Sequence, residues 1–432
     1  MNILMLTNIY TPQVGGITNS VQQFTQQYRN RGHRVLVVAP DYDRTPPDEQ
    51  DVLRISAIPD FYQNRYPLPL PILSTLLSDV AEFKPDVVHT HHPFLLGSTG
   101  QSIAAEHDVP CVYTHHTRYS KYIEDRTNWP PAIEEAMIEL AINYCNLCDL
   151  VISPSLGIQN LLRQAGVTQP ITVIPTGVDV EKFRQGNGVA FRAQNNIPEK
   201  AFVVGHIGRL APEKNCIFLS HCLAEFLKQN EFCYVLVVGD GNQRSEMEQV
   251  FEEQFVSDRV IWTGELSGSD VVDAYHAMDV FAFASHTETQ GMVLSEAMAA
   301  GVPVVAVKGT GVQDLINHQT NGWMIPEDDV GQFVACLNEL KHFDESQRAS
   351  LQQEIETTVQ NFSIDACAER ALKTYQQAID NHTQGLGLSQ QPTWQASLRS
   401  WDSLWKRWLG RAKAVGTALE HFLSSDSDSP QI

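Results

Sequence analysis

No uninterrupted apolar run reaches the roughly eighteen residues that a membrane-crossing helix needs, so the sequence predicts no transmembrane span. The opening residues, Met1-Asn2-Ile3-Leu4-Met5-Leu6-Thr7, lack the charged region of a secretory leader and read at once as a strand. The eight cysteines fall without the spacing of a disulfide framework, which fits a reducing compartment. Cys145 and Cys148, the one close pair, end a helical stretch and read as core rather than as redox or metal chemistry. These absences predict a cytoplasmic protein. Positive charge is scarce as well. With 30 Lys and Arg against 51 Asp and Glu, the formal net charge of −21 argues against a nucleic-acid partner, because most of the surface would repel a phosphate backbone.

What the chain has in quantity is strand alternating with helix. At 432 residues and 43% hydrophobic content it is long enough for two or three globular domains. Apolar strands fall at 3–7, 35–39, 86–89, 111–114, 150–153 and 171–174 with helical stretches between, which predicts a doubly wound parallel domain. A second set begins at Phe202 and continues at 234–238, 260–262, 280–284, 303–307 and 322–325, which predicts a second Rossmann-like sheet. A cleft between two such sheets is the expected ligand site. The expected boundaries are 1–178 for the N-terminal domain, 179–362 for the C-terminal domain, and 363–382 for a helix returning to the first.

Beyond these, 383–393 reads as a flexible linker, 394–422 as an amphipathic helix and 423–432 as a disordered tail. Trp394, Leu398, Trp401, Trp405 and Trp408 recur at alternating spacings of four and three, with Arg399, Lys406, Arg407, Arg411 and Lys413 among and beyond them. Indole rings settle at the headgroup level and cations attract anionic lipid, so this stretch predicts a membrane-surface helix. The same spacing also suits a coiled-coil seam with a partner helix.

Two carboxylates carry the strongest chemical signal. Glu288 and Glu296 bracket Thr289-Gln290-Gly291-Met292-Val293-Leu294-Ser295, a loop running into a helix. The apolar stretch 279–285 before them reads as a buried strand, and the helix predicted over 291–300 is stopped by Gly301 and Pro303. Glu288 is then expected on the loop at the carboxyl end of a parallel strand, where open α/β sheets bind ligands, with Glu296 facing inward from the helix. The alternative is two surface glutamates stabilised by the helix dipole.

Val203-Val204-Gly205-His206-Ile207-Gly208-Arg209 is a strand ending in a glycine turn, followed by Leu210-Ala211-Pro212-Glu213-Lys214-Asn215. Together with Glu288, Glu296 and Ile174-Pro175-Thr176-Gly177-Val178-Asp179, this order of motifs resembles the family-4 retaining glycosyltransferases of GT-B architecture. The resemblance extends over about residues 1–380.

That resemblance implies an α/β fold of two Rossmann-like domains facing a cleft, with a nucleotide sugar on the C-terminal domain and an acceptor on the N-terminal one. It implies that Arg209, after Gly208, and Lys214 hold the donor's diphosphate, that Glu288 meets the sugar hydroxyls and that Glu296 bonds the nucleotide ribose. The backbone of Gly291, Met292 and Val293 is expected to donate to phosphate oxygens at a helix start. Two cations stabilise the leaving diphosphate without a metal, so no cofactor is expected. Asp41-Tyr42-Asp43 has the spelling of a metal clamp but lies far from these motifs. Thr289-Gln290-Gly291 departs from the usual Gly-Phe-Gly of the family and resembles bacterial diacylglycerol glucosyltransferases. In glycolipid-synthesising relatives one histidine of the segment matching Tyr113-Thr114-His115-His116-Thr117 is directed at the sugar, and the alignment selects His116. The helix after it, with Tyr119, Tyr122 and Ile123, is a candidate border for a lipid acceptor. Gly15 and Gly16 match the loop facing donor and acceptor, or form a tight turn. Asp314, after Gly309-Thr310-Gly311, is a further candidate for donor contact. The implied activity is transfer of glucose from UDP-glucose to a membrane lipid such as diacylglycerol, by an enzyme peripheral to the inner membrane face. A soluble family-4 enzyme acting on a polysaccharide or small metabolite, and a non-catalytic GT-B scaffold, are the alternatives.

Overall fold

A computed structural model describes residues 1–403 except 14, 43, 46–48, 63–65, 71–72, 118–130, 287, 392–393, 396 and 402. The second aspartate of the Asp41-Tyr42-Asp43 spelling, the helix expected after His116, and Trp405, Trp408 and the basic residues from Lys406 onward lie outside the described residues. Residues 1–153, 160–172 and those from 372 onward make one compact unit, and 154–159 with 173–371 make a second.

The first unit is built on a seven-stranded sheet. Its strands are β1 (Asn2–Leu6), β2 (Arg34–Pro40), β3 (Val52–Ile55), β6 (Val87–Thr90), β7 (Cys111–Thr114), β8 (Leu150–Ser153) and β9 (Ile171–Val173), and β4 (Ala57–Tyr62) with β5 (Tyr66–Pro69) forms a separate antiparallel hairpin. The strand order is β3-β2-β1-β6-β7-β8-β9, parallel wherever register is defined. Strands covered on both faces must be apolar throughout, and Val87, Val88, Val112 and Val151 are each fully buried. The sequence pattern misses β3 and the hairpin. All four residues of β3 are only half-buried at the sheet edge, so no continuous apolar run marks them.

The second unit carries β10 (Phe202–Ile207), β11 (Cys233–Val238), β12 (Val260–Gly264), β13 (Val280–Phe283), β14 (Val304–Val307) and β15 (Trp323–Ile325) in the order β12-β11-β10-β13-β14-β15, all parallel. Both sheets are doubly wound, as the strand pattern predicts. The helix after β13 spans Met292–Ala299, between Gly291 at φ 75° and Gly301 at φ 78°. Both glycines hold left-handed backbone that a side chain would strain. Cys145 and Cys148 are fully buried, and the Cys148 thiol receives the Gln101 amide at 3.0 Å, a core arrangement.

The segment after 381 departs from the linker and surface-helix reading. His382–Leu386 and Leu388–Gln390 form short helical turns, His382 Nε2 bonds Asp108 at 3.0 Å, and the Leu388 amide donates to Asp149 at 2.7 Å. Trp394 and Trp401 are only 6% and 2% exposed. Their indole N–H groups donate to the Leu147 and Leu140 carbonyls at 3.2 and 2.9 Å, and Trp401 packs on Tyr144 and Phe94. These two indoles thus cover the first unit's own core rather than lipid, because a protein face supplies both the apolar cover and the carbonyl that a buried indole needs. Among the described residues no helix is long and apolar enough to cross a membrane.

Candidate active site

In the second sheet the strand order reverses between β10 and β13, and ligands of such sheets bind outside the carboxyl ends at that point. The loop after β10 carries Gly208, Arg209 and Lys214, and the loop after β13 carries Glu288. Lys214 and Glu288 form an ion pair there, and Arg209 pairs with Glu213. Both cations expected to hold a diphosphate are thus paired with carboxylates in this structure. The loop is locked locally. Ser285 Oγ donates to the Glu213 carbonyl at 2.8 Å, and Asn215, at φ 56°, donates to Asp328 at 3.0 Å. The loop after β11 seals the other side. Gly239 sits at φ 127°, and a Cβ there would lie 2.0 Å from the Gly208 carbonyl oxygen.

Glu296 projects from the first turns of the Met292–Ala299 helix and is half-buried. The fully buried Tyr275 donates its hydroxyl to the Glu296 carboxylate at 2.9 Å. Burial raises the Glu296 pKa above the ordinary carboxylate value, opposed by the Tyr275 hydrogen bond and by the charge of Lys182. Gln290 Oε1 accepts the Thr176 amide at 2.7 Å, while its Nε2 is buried without a partner among the described residues. Thr289, Met292 and Val293 lie beside these groups, each half-buried. Asp314 accepts the Leu156 amide at the start of the helix Leu156–Gln164.

In the first unit the carboxyl ends of β1, β6 and β7 gather histidines. Asn8, after β1, is tied to the loop after β6. Its amide donates to His92 Nδ1 at 3.2 Å, and its side chain bonds Phe94 and Leu96. His89 is held between Thr114 Oγ1 at 2.7 Å and the Tyr375 hydroxyl at 2.6 Å. His115 turns into the core beside Tyr113, whereas His116 is half-buried and meets His91, with Nδ1 of His91 2.9 Å from Nε2 of His116. Burial lowers the pKa of all five imidazoles, His89 to about 3 and His92 and His115 to about 4. They therefore serve as neutral hydrogen-bonding groups at neutral pH. Gly15 and Gly16 have no left-handed φ, and a Cβ on either would meet nothing within 4 Å, so neither a tight turn nor protein packing demands a glycine.

Sequence reasoning weighed His91 only as a zinc ligand, set aside in favour of packing, and passed over Tyr275 and Tyr375. Tyr275 orders Glu296 and Tyr375 orders His89, each from an element distant in the chain, and no spacing rule marks such a partner.

Two family models match the chain, Glycosyltransferase Family 4 over residues 14–182 and Glycosyl transferases group 1 over residues 189–357. The alpha-monoglucosyldiacylglycerol synthase of Streptococcus pneumoniae is 28% identical over 74% of this chain and 74% of its own length. The GDP-mannose-dependent alpha-mannosyltransferase of Mycolicibacterium smegmatis is 30% identical over 78% of this chain and 87% of its own. Among solved structures, Anabaena Alr3699/HepE in complex with UDP and glucose superposes with a TM-score of 0.68, at 23% identity over 87% of this chain and 99% of that one.

Proposed function

The chain belongs to glycosyltransferase family 4 and has the GT-B fold, and on that premise we propose that it is a retaining transferase that moves glucose from UDP-glucose to a membrane lipid, diacylglycerol first. What supports the reading most is the pair of loops at the second sheet's switch point, which carry Lys214 paired with Glu288 and Arg209 paired with Glu213.

As the diphosphate leaves, negative charge grows on its oxygens. Arg209 and Lys214 stabilise that charge once they exchange Glu213 and Glu288 for phosphate, and they act most strongly in the transition state. Glu288, freed from Lys214, accepts hydrogen bonds from the sugar hydroxyls. Glu296, held by Tyr275, accepts from the ribose, while the Gly291, Met292 and Val293 backbone, with Thr289 and Gln290, lines the phosphate side. Front-face attack, in which the departing phosphate takes the acceptor's proton, asks the protein for positioning and charge rather than for a nucleophile. His116 serves the transferred sugar as a neutral hydrogen-bonding group, and Gly15 and Gly16 leave room for substrate. The diacylglycerol acceptor is suggested by the name of the 28% identical pneumococcal relative, and an enzyme with that acceptor would work at the inner membrane face. Membrane contact is assigned to the basic residues after 403, because Trp394 and Trp401 are occupied by protein.

The 30% identity to a GDP-mannose-dependent enzyme makes GDP-mannose the rival donor. A screen of UDP-glucose, UDP-galactose and GDP-mannose against diacylglycerol micelles and soluble acceptors tests the reading. The expected product is an α-glucosyl lipid, its anomeric configuration read by NMR. A preference for GDP-mannose, a soluble acceptor, or an inverted anomeric centre would overturn the corresponding part.

A further inference from the structure

Among the five buried imidazoles, His91 has no role in the mechanism above, yet it makes the shortest contact to His116. Its Nδ1 lies 2.9 Å from His116 Nε2, and the two rings stack at 5.2 Å with 23° between their planes. His91 itself cannot swing away. It is 2% exposed and packs at 4.2 Å on His89, which Thr114 and Tyr375 grip from both ring nitrogens, and Tyr375 is in turn bonded to Tyr28 at 3.2 Å.

We propose that His91 is a positioning residue for His116: by occupying Nε2 it fixes that ring's orientation and its single neutral tautomer, and it leaves Nδ1 as the nitrogen that meets a sugar hydroxyl. This inference rests on the reading that His116 serves the transferred sugar. A neutral imidazole carries one proton, and in a hydrogen bond between two neutral imidazoles one nitrogen must donate and the other accept. The bond therefore couples the two tautomers, and because Nε2 of His91 is buried without a partner among the described residues, the His91 proton belongs on Nδ1, which donates to Nε2 of His116 and leaves the His116 proton on Nδ1. Such outer partners orient a functional imidazole as those of metal-bound histidines do. The cation form, which would break the coupling, is suppressed because burial and the neighbouring imidazoles hold both pKa values well below the ordinary one.

The test uses the full-length enzyme labelled with nitrogen-15 at histidine, with the His116 ring signals identified by their loss in His116→Ala. Wild type should show one His116 tautomer. His91→Leu should show both tautomers in exchange and lower kcat about tenfold, the cost of one lost hydrogen bond, with the donor KM unchanged. His91→Asn, whose amide can donate or accept where Nδ1 stood, should restore the single tautomer and most of the turnover. Thermal melts of both variants control for folding. An unaltered tautomer and turnover in His91→Leu would overturn the proposal, as would equal impairment of the Leu and Asn variants. Wild-type turnover in His116→Ala would instead overturn the reading of His116, whatever the tautomer shows.

Discussion

The carboxyl ends of the two sheets are built from opposite chemistry. In the first unit the end of β6 and the loops after β6 and β7 present neutral imidazoles, buried or half-buried and bonded to other uncharged groups. In the second unit the loops after β10 and β13 present Arg209, Lys214, Glu213 and Glu288 as ion pairs, and Glu296 on the following helix accepts from Tyr275. Under the proposed function a diphosphate leaving group requires cations, and Arg209 and Lys214 provide them on exchanging their carboxylate partners for phosphate. A hydroxyl-bearing ligand requires fixed, uncharged donors and acceptors, which a buried imidazole network provides. Under the proposed function, similar sheet topologies would serve two tasks because the loop chemistry differs.

The largest effect that sharpens this contrast concerns what holds the neutral end together. Trp401 packs on Tyr144, which bonds Thr90 of β6 and the Gly97 carbonyl. Trp401→Ala should cost roughly 3–5 kcal/mol of stability in the first unit, measured by urea unfolding. Truncation after Gln391 should do at least as much. If the truncated protein unfolded at the same urea concentration as the full chain, the tail would be an appendage and this part of the comparison would break.

Next in size is the charged end. Arg209→Ala or Lys214→Ala should lower kcat by about 10²–10³ while the melting curve stays in place, as for loss of one donor to a developing anion. Turnover near wild type in either variant would refute its diphosphate role.

The smallest effect is a divergence of the two units in acid. Histidines whose folded pKa is depressed to about 3 or 4 stabilise the fold fully above the ordinary value of 6.5, and that stability is lost as pH falls through 6.5 toward those values. Glu296 has the opposite sign. Its raised pKa means that its ionised form burdens the fold at neutral pH, and the burden is relieved as pH falls through the folded value. His206, lowered to about 4, adds the histidine sign to the second unit, alone there against the first unit's cluster. Hydrogen exchange by mass spectrometry between pH 7 and 5 should therefore show protection falling more in strands β6 and β7 than in β10 and β13. Glu296→Gln should raise the second unit's stability at pH 7 while weakening nucleotide binding about tenfold. Equal loss of protection in both sheets would remove the electrostatic contrast.

Much of this was legible in the chain. Strands buried on both faces must be apolar along their whole length, so β1, β6 to β8, β10, β11, β13 and β14 announce themselves as short apolar runs. The candidate donor residues were legible because they sit at strand ends in fixed order. The half-buried edge strand β3 was not, since its sequence resembles that of a loop. The tail misled for a related reason, because a stripe of tryptophans reports an apolar face and does not say whether lipid or protein covers it.

The sequence by itself determined the two doubly wound sheets, the loops that carry Arg209, Lys214, Glu288 and His116, the helix that carries Glu296, and the family, because each depends on local pattern and short-range spacing. Only the tertiary structure decided the pairings: Lys214 with Glu288 at 74 residues' separation, Tyr275 with Glu296 at 21, His91 with His116 at 25, Tyr375 with His89 at 286, and Trp401 with Leu140 at 261. Hydrogen bonds and ion pairs act over about 3 Å, so which groups share one is set by where the folded strands end and not by their distance along the chain.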